Sequence, residues 1–452
     1  MKKIISCAGL ILACLFTTGI AEKAIAQTDS TKPLSLDMNT AIRIALSDNP
    51  TVKVADVQIE KQKYANRATI GNLFPTIDAS SSYTYTIKKP VMFLQMPGMD
   101  KPKGISMGVS HNIQAGITAS MPLVSPMLWE SISIGNTQMA ASLEKARGSK
   151  IDMAAEVKKA YLSALLAQKS VDVFKASYEN AKTNYRNVEQ KYKQGVIAEF
   201  DRLRAEVQVQ NLEPNLLQAE NGASLAKKRL CVLLALDPNT PIELTESLDD
   251  YDQNVYAGYL KADTTIDNNS SLRMLSIQDT LLNKAKKIKK FEYLPTLSLS
   301  GNYNYSYMNN KIDFSDSKLW TPSSSLMFRL SIPIFSGGKR YYGVKQANTD
   351  ITMLKLQEGD ARRNLSLAMQ QQIDLMNTAV KSYSAAKEAE KSAQKGYEIA
   401  RARYENGAGT ILEVNDADVQ LLQARLNCSQ AVYNFMVSLF AIEQLSGNNL
   451  PQ

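Results

Sequence analysis

The sequence has few of the side chains on which most catalytic and metal sites depend. It contains one histidine, His111, and four cysteines, two of which lie within the first 26 residues. Because His111 begins a predicted strand, neither a His-based catalytic triad nor a His-rich metal site is expected within one chain. Cys231 and Cys428 fall in helical segments at unmatched positions, so we expect free core thiols rather than a disulfide framework. No catalytic residue, cofactor or metal site is predicted, and the chain is not expected to be an enzyme.

Long hydrophobic runs are confined to the N-terminal segment. It contains Lys2-Lys3, an apolar run over 4–20, and Ala24-Ile25-Ala26 as a small-x-small cleavage site. This is the pattern of a secretory signal peptide, which we place at 1–26. No later run approaches the roughly 20 apolar residues of a membrane-spanning helix. If the mature chain crosses a membrane, it is expected to do so with strands.

The alternative for the N-terminal segment is a lipid-carrying Cys14. The bulky Leu12 and the apolar residues beyond Cys14 favour cleavage after Ala26 instead. Cleavage removes three basic residues and one acidic residue, which lowers the formal charge from +8 to +6. The remaining charges are scattered along the chain, so no nucleic-acid partner is predicted.

What the sequence does contain is a long heptad pattern. Small or apolar residues recur at alternating steps of four and three, which is the spacing of a coiled-coil seam. The helix that carries them is predicted over about 126–194 and would be roughly 100 Å long. The first seam consists of Met153, Val157, Ala160, Ala164, Ala167, Val171, Phe174, Tyr178, Ala181, Tyr185, Val188 and Tyr192.

The same pattern occurs again about 212 residues downstream. The second seam, in which only Glu390 breaks the pattern, consists of Met376, Ala379, Tyr383, Ala386, Glu390, Ala393, Tyr397, Ala400 and Tyr404. Both seams end on a Tyr-x-x-Gly sequence, in which glycine supplies the left-handed residue that ends a helix. The chain is therefore predicted to hold two structural repeats, 27–241 and 242–452, with helical hairpins at 126–236 and 338–444.

Ahead of each long helix the hydrophobic period changes from 3.6 to 2. Two β-hairpins are predicted, at 76–121 and 296–334, and each strand has an apolar, Tyr-rich face and a face of Ser, Thr, Asn and Gln. The strands of the first hairpin are separated by an exposed loop of about twenty residues. Pro122 is expected to end its second strand.

Strands of about 10 to 12 residues can cross a bilayer when tilted. Backbone groups in lipid find no water, so a spanning sheet has to close without edges. Four strands cannot close, because the smallest outer-membrane barrels have about eight. Several chains are therefore expected to share one barrel as a two-, three- or fourfold ring, and the same ring would bundle the long helices.

These features together resemble the TolC-type outer-membrane efflux proteins over nearly all of the mature chain. The resemblance rests on Leu34-Ser-Leu-Asp-Met-Asn-Thr-Ala-Ile with Asn49-Pro50, the doubled Leu/Tyr-Pro strand starts, Pro-Ile-Phe-Ser-Gly-Gly before the second long helix, and the doubled Tyr-x-x-Gly turns. It implies a mainly α fold with a β membrane part: a homotrimer in which four strands per chain form a twelve-stranded barrel above a helical barrel. It also implies that the protein lies in the lipid of the outer membrane and extends into the periplasm. The implied partners are a periplasmic adaptor protein and an inner-membrane pump, and the implied function is export without a catalysed reaction.

The resemblance also implies roles for residues at two turns. Glu413 and Asp416 match acidic residues that line the family's periplasmic aperture, and Asp201 and Tyr404 match positions that hold the closed tip by hydrogen bonding. Both acids share a helix face, and threefold symmetry would set six carboxylates around one axis, favouring cations. They, and Asp201 equally, also fit ordinary first-turn acids at a helix N-terminus. The small turn residues are expected to contact the adaptor: Gly195, Val196, Gly407, Ala408 and Gly409.

One position departs from the family pattern. The family's best-known member has an arginine two residues after the second turn glycine, where this chain has Gly409. An ionic latch is therefore not predicted at that position. The alternative to a duct is a coiled-coil periplasmic scaffold or adaptor without a pore, but a soluble scaffold would have nothing to cover the Tyr-rich strand faces.

Overall fold

The computed structural model describes residues 33–94, 103–252, 255, 263–312 and 319–448. The predicted signal peptide lies outside the described residues. Long helices dominate the described chain, as predicted, and lead into a four-stranded sheet. None of the helices described has both the length and the apolar character needed to cross a membrane.

The elements largely repeat in order along the two halves of the chain. The first half contains β1 (Leu34–Leu36), α1 (Met38–Asp48), α2 (Pro50–Gly71), β2 (Thr76–Tyr85), β3 (Val91–Leu94), β4 (Lys103–Ser106), β5 (His111–Val124), α3 (Pro126–Lys193) and α4 (Glu199–Leu233). The second half contains β6 (Ile242–Leu244), a 3-10 turn (Leu248–Tyr251), α5 (Ser270–Phe291), β7 (Thr296–Asn309), β8 (Trp320–Ser331), α6 (Lys339–Glu405) and α7 (Ile411–Ser446).

The long helices α3 and α6 have 68 and 67 residues, which corresponds to about 100 Å each. Their returning partners α4 and α7 have 35 and 36 residues and cover only about half of that length. Helices α2 and α5 cover the rest, packing against α3 and, for α5, also against α6. Helix α4 ends at Leu233 rather than at the expected Leu236, because Ala235 already has a positive φ of 58°.

Two buried asparagines join the helices that stack end to end. The side-chain oxygen of Asn49 accepts from the Thr51 amide and caps α2, while its amide nitrogen donates to the Leu233 carbonyl of α4 over 2.8 Å. Asn269 does the same in the second half, accepting from Ser271 and donating to the Leu445 carbonyl over 2.9 Å. Each asparagine therefore satisfies one helix start and one helix end with a single side chain.

The spacing between matching positions changes along the repeat. Asn269 follows Asn49 by 220 residues, whereas the turn glycine Gly407 follows Gly195 by 212. The difference arises in the segment between these positions, which contains the β-hairpin and is longer in the first half. The extra residues of the first half lie between β2 and β5, in the predicted exposed loop. Within this loop β3 and β4 form a separate two-stranded ribbon, which the sequence did not predict.

The heptad seams point inward along most of their length. Most seam residues are buried or half-buried, and Tyr192 beside the turn is exposed. The upper part of α3 also buries residues outside the seam, among them Tyr161, Leu162 and Leu165. The Tyr161 hydroxyl donates to the Leu36 carbonyl over 3.0 Å, beside the parallel pair of β1 and β6. This part of the helix therefore faces packing partners on more than one side.

The four main strands form one antiparallel sheet in the order β2-β5-β7-β8. The expectation that Pro122 ends β5 is wrong, because β5 continues to Val124 with a register shift between them. Proline is tolerated there because β2 begins only at Thr76, opposite Ser120, so one side of β5 is unpaired beyond that point. Strand β8 ends at Ser331, three residues before the expected end at Ile334. Strands β2 and β8 are the two edges of this sheet.

We predict that Asn49→Ala or Asn269→Ala lowers the free energy of unfolding by about 1–2 kcal/mol each. The change removes a helix cap and leaves a carbonyl at the neighbouring helix end without its donor. Urea unfolding in detergent, followed by far-ultraviolet circular dichroism, measures the loss. Asn→Asp at either position retains the cap but not the amide donor and should be intermediate.

Asn215→Ala is the matched control. The Asn215 amide is exposed and bonds only within its own helix, to the Asn211 carbonyl. If this variant is destabilised as much as Asn49→Ala and Asn269→Ala are, the bonds of the two buried asparagines to Leu233 and Leu445 do not stabilise the stacked helices.

Candidate functional site: the helical tip

The two helical hairpins end in turns of the same backbone form, at 194–198 and 406–410. We call these turns, together with the adjoining residues 191–201 and 403–416, the tip. Gly195 and Gly407 have φ values of 72° and 73°, in the left-handed region where glycine is favoured. The next amide in each turn donates back to the last helical turn: Val196 to the Lys191 carbonyl over 3.0 Å and Ala408 to the Arg403 carbonyl over 2.8 Å. The duplicated Tyr-x-x-Gly sequence thus produces a duplicated turn.

The tip presents small, accessible groups. Gly195, Gly407 and Ala408 are exposed, and the Val196 side chain is 68% exposed. A Cβ atom added at Gly195 or Gly407 would meet nothing within 4 Å. Another surface could therefore approach the backbone of both turns closely. Gly409 differs from the other tip glycines, because it is half-buried and its surroundings are crowded.

Below the turns, all four hairpin helices meet in a small apolar cluster. The cluster is the reason that the two turns lie side by side. Its buried members are Val188, Ala205, Tyr397, Ile411, Val414 and Leu421, and its half-buried members include Tyr185, Ile197 and Tyr404. The Lys191 ammonium group lies 4.6 Å from the centre of the Tyr404 ring, which adds a cation–π contact between α3 and α6.

Asp201 and Tyr404 lie near each other at this cluster. Burial raises the pKa of Tyr404, and the negative charge of Asp201 raises it further. The described residues show this electrostatic contact without a direct hydrogen bond between the two side chains. A hydrogen bond between them in the assembled protein stays a prediction.

Glu413 lies in the first turn of helix α7 and Asp416 in the second, and both side chains are exposed. Their spacing of three residues places them on one helix face. Thr410 caps the helix, because its hydroxyl oxygen accepts a hydrogen bond from the backbone amide of Glu413 over 3.3 Å. One Glu413 oxygen lies 3.7 Å from the Arg403 guanidinium.

Arg403 is a tip residue that the sequence reasoning missed. Besides its contact with Glu413, its guanidinium donates to the Ala408 carbonyl over 3.1 Å. A Cβ atom at Gly409 would lie 3.1 Å from the Arg403 Cβ and 3.2 Å from a Glu413 oxygen. A side chain at 409 would therefore crowd this ion pair. The chain has its tip arginine on the preceding helix, six residues before Gly409.

Asp418 is a second residue that sequence reasoning missed. It is only 5% exposed and accepts a short hydrogen bond from the Ser177 hydroxyl, which joins α7 of the second hairpin to α3 of the first. Burial raises its pKa, while Ser177, Asn180 and the charge of Arg425 act in the opposite direction. The sequence did contain a signal for this residue. Asp418 lies four residues after Val414 and three before Leu421, which are both buried, so it is a polar residue at a seam position.

Comparison with known proteins agrees with this arrangement. A sequence model described as outer membrane efflux protein matches residues 41–235 and 262–448. The chain belongs to the outer membrane efflux protein family. This family comprises channel proteins and not enzymes, and its members are located in the outer membrane.

Two curated relatives of this outer membrane efflux protein are TolC proteins. It is 21% identical to the outer membrane protein TolC of Vibrio cholerae over 75% of this chain and 77% of the relative. It is 25% identical to TolC of Escherichia coli over 64% of this chain and 60% of the relative. Among solved structures, the CmeC outer membrane channel of Campylobacter jejuni shares the fold with a TM-score of 0.70 at 17% identity, covering 91% of this chain and 86% of CmeC.

We predict that the contact between the two hairpins weakens as pH rises, and that Asp418→Asn removes this dependence. Because burial raises the pKa of Asp418 in the folded state, its stabilising contribution is fully present below its ordinary pKa of 3.8. The contribution is lost as pH rises through the raised folded-state value, because the buried carboxylate is then charged. Amide hydrogen exchange at 177–181 and 414–421, corrected for the intrinsic pH effect, measures the change.

The control for this prediction is Asp172→Asn on α3. Asp172 is exposed and only accepts from Gln168 within the same helix, so the pH dependence should stay as in wild type. If Asp418→Asn retains the full wild-type dependence, another group sets the strength of this contact.

Proposed function

We propose that three copies of this chain form the exit duct of a tripartite efflux or export system. The observation that carries this proposal is the sheet. The large apolar side chains of its edge strands β2 and β8 are exposed, and both edges are open in a single chain. Exposed apolar and aromatic residues on one face of β2 and β8 include Ile77, Tyr83, Leu326, Phe328 and Leu330.

Lipid covers the apolar face of this sheet, and neighbouring copies pair with its two open edges. Apolar side chains are stable against acyl chains, whereas the backbone groups of an edge strand are not. Pairing β8 of each copy with β2 of the next removes every edge and makes a barrel of twelve strands from three chains. The polar faces then line the lumen, and the helical hairpins continue the duct into the periplasm. The residues at 1–26 serve export of the chain and are removed on the way.

A periplasmic scaffold without a pore is the weaker alternative. It would leave these apolar strand faces in water, although contiguous exposed apolar side chains usually mark interaction or membrane surfaces. A passive duct requires no catalytic group, which agrees with a chain that has one histidine.

We further propose that Glu413 and Asp416 line the narrowest point of the duct at its periplasmic end. A threefold axis beside α7 brings six carboxylates together, and such a ring attracts cations and repels anions. Arg403 partly neutralises Glu413 in the closed tip, so opening that separates this pair exposes the full negative charge of the ring. Asp201 and Tyr404 hold the closed tip together across α4 and α6.

We predict that Glu413→Ala with Asp416→Ala increases single-channel conductance or reduces cation preference in planar bilayers while assembly persists. Removing up to six negative charges eliminates both the electrostatic filter and part of the steric constriction. The matched control is Asp374→Ala with Glu388→Ala, which removes the same charge from exposed positions of α6 away from the tip. Unchanged conductance and selectivity in the tip variant would contradict the proposal that Glu413 and Asp416 line the aperture.

We propose that the adaptor contacts the tip at Gly195, Val196, Gly407, Ala408 and Gly409. The open space above Gly195 and Gly407 allows close backbone approach, and Val196 offers an exposed apolar side chain, with Phe200 exposed beside it. The contact is therefore built on shape and a small apolar surface rather than on strong charge. The inner-membrane pump joins through the adaptor.

We predict that a photo-crosslinking residue at Val196 or at Ala408 forms an adduct with the periplasmic adaptor in cells that contain the complete system. The matched position is Leu217, an exposed apolar residue in the middle of α4, where the adduct should be several-fold weaker. Equal yield at all three positions, identified by mass spectrometry, would show that the tip is not the preferred contact.

A further inference from the structure

The strands of the main sheet contain only two residues of the types Asp, Glu, Lys and Arg. These are Asp78 in β2 and Arg329 in β8, and they carry opposite charges. All other positions on the polar face are neutral, mostly Ser, Thr, Asn and Gln. Two opposite charges on an otherwise uncharged sheet indicate a specific role for these residues.

Asp78 and Arg329 lie on the two opposite edges of the sheet. The strand order β2-β5-β7-β8 makes both of their strands edge strands. Both side chains are exposed, and neither forms a salt bridge within the described parts of the chain. The Arg329 guanidinium contacts the sulfur of its neighbour Met327, at 3.9 Å.

The two residues share one face and one end of the sheet. Strand pairing places Asp78 opposite Thr118, Thr118 opposite Asn302, and Asn302 opposite Ser325. Ser325 and Arg329 are four residues apart on β8, so their side chains lie on the same polar face as Asp78. Asp78 is the third residue of β2, and Arg329 is the third from the end of β8. Both are therefore near the helical end of the sheet.

Within one chain these charges cannot meet. Three strand spacings, about 14 Å, separate the edges, and the four-residue offset adds about 13 Å along the strand direction. A second copy changes this situation, because its β2 can pair with β8 of the first. The edge strands β8 and β2 supply each other's missing backbone hydrogen bonds, and their charged residues, Arg329 and Asp78, have opposite sign.

The four-residue offset fits the stagger that a closed barrel requires. If Arg329 faces Asp78 of the next copy, the register advances by four residues over the four strands of each chain, or one residue per strand. An eight-stranded barrel of shear eight has this same ratio and a strand tilt of about 36°. Transmembrane strands tilt by about 35–45°, so the pairing leads to an ordinary barrel.

We propose that Arg329 of each copy pairs with Asp78 of the next and thereby sets the register in which the copies join. This inference rests on the proposed shared barrel and adds the residues that align it. A slip of one residue would turn one of the two charges toward lipid, and a slip of two would leave each charge facing a neutral residue. The matched charges align the two edges, and like charges brought together at this position would oppose the joining of copies.

The test is a register scan by disulfide formation in the full-length protein in membranes. Cys231 and Cys428 are first replaced by Ala, and cysteine pairs are then introduced as Asp78→Cys with Arg329→Cys, Asp78→Cys with Ser325→Cys, and Ser80→Cys with Arg329→Cys. A disulfide needs Cα atoms within about 7 Å, so any of these bonds joins two copies. We expect the first pair to give several-fold more covalent dimer and trimer than the other two. A dominant product from either other pair would overturn the proposed register.

Charge exchange gives a second measurement. Asp78→Arg or Arg329→Asp alone places like charges together and should reduce the oligomer that resists detergent several-fold, and the double exchange should restore it. If the single variants retain wild-type oligomer, the pair has no role in joining copies. The outcomes separate the two proposals: a wild-type protein that stays monomeric in membranes refutes the shared barrel itself. A conducting oligomer with a different register refutes only the pairing of Asp78 with Arg329.

Discussion

A helix of about 100 Å has to be covered along its whole length, and neither described returning helix, α4 or α7, is long enough to do so. The chain solves this by stacking two shorter helices end to end against each long one. Stacking creates a junction at which one helix start and one helix end are buried together, with backbone groups that need partners. Asn49 and Asn269 supply them, one in each half. These two junctions join α2 to α4 and α5 to α7, and so set where the stacked helices meet along the rod.

The rod separates two regions of different character. At one end the sheet is almost free of charge, so its polar face offers hydroxyl and amide groups with little electrostatic preference. At the other end the tip concentrates Glu413, Asp416, Arg403 and Asp201 in a small volume. In the proposed duct, selection by charge therefore takes place at the periplasmic tip, while the barrel passes whatever the tip admits.

The tip also combines rigidity with a weak point. The turns are short, and each is closed by a backbone hydrogen bond to the last turn of its helix, from Val196 to Lys191 and from Ala408 to Arg403. The contact between the two hairpins is different, because it includes a buried carboxyl group, Asp418, whose charge is disfavoured there. A contact of this kind is strong when the group is neutral and weaker when it is charged. The hairpins are thus expected to separate as units rather than to unfold.

The sequence by itself determined the local elements, because their signals are local. Heptad spacing predicted the long helices, alternation predicted the strands, and Tyr-x-x-Gly predicted the turns, since each depends on residues within a few positions of one another. The duplication of these signals predicted the internal repeat, and their order indicated the family.

Only the tertiary structure decided which distant residues meet. The pairing of Asn49 with Leu233 and of Ser177 with Asp418 spans 184 and 241 residues, and no spacing rule connects positions so far apart. The extension of β5 past Pro122 depended on where β2 begins, which is a property of the sheet and not of the strand. The ion pair of Arg403 with Glu413 depended on the room that Gly409 leaves. Local periodicity specifies which face of an element is buried, but the neighbour that this face contacts is specified by the packing of the whole chain.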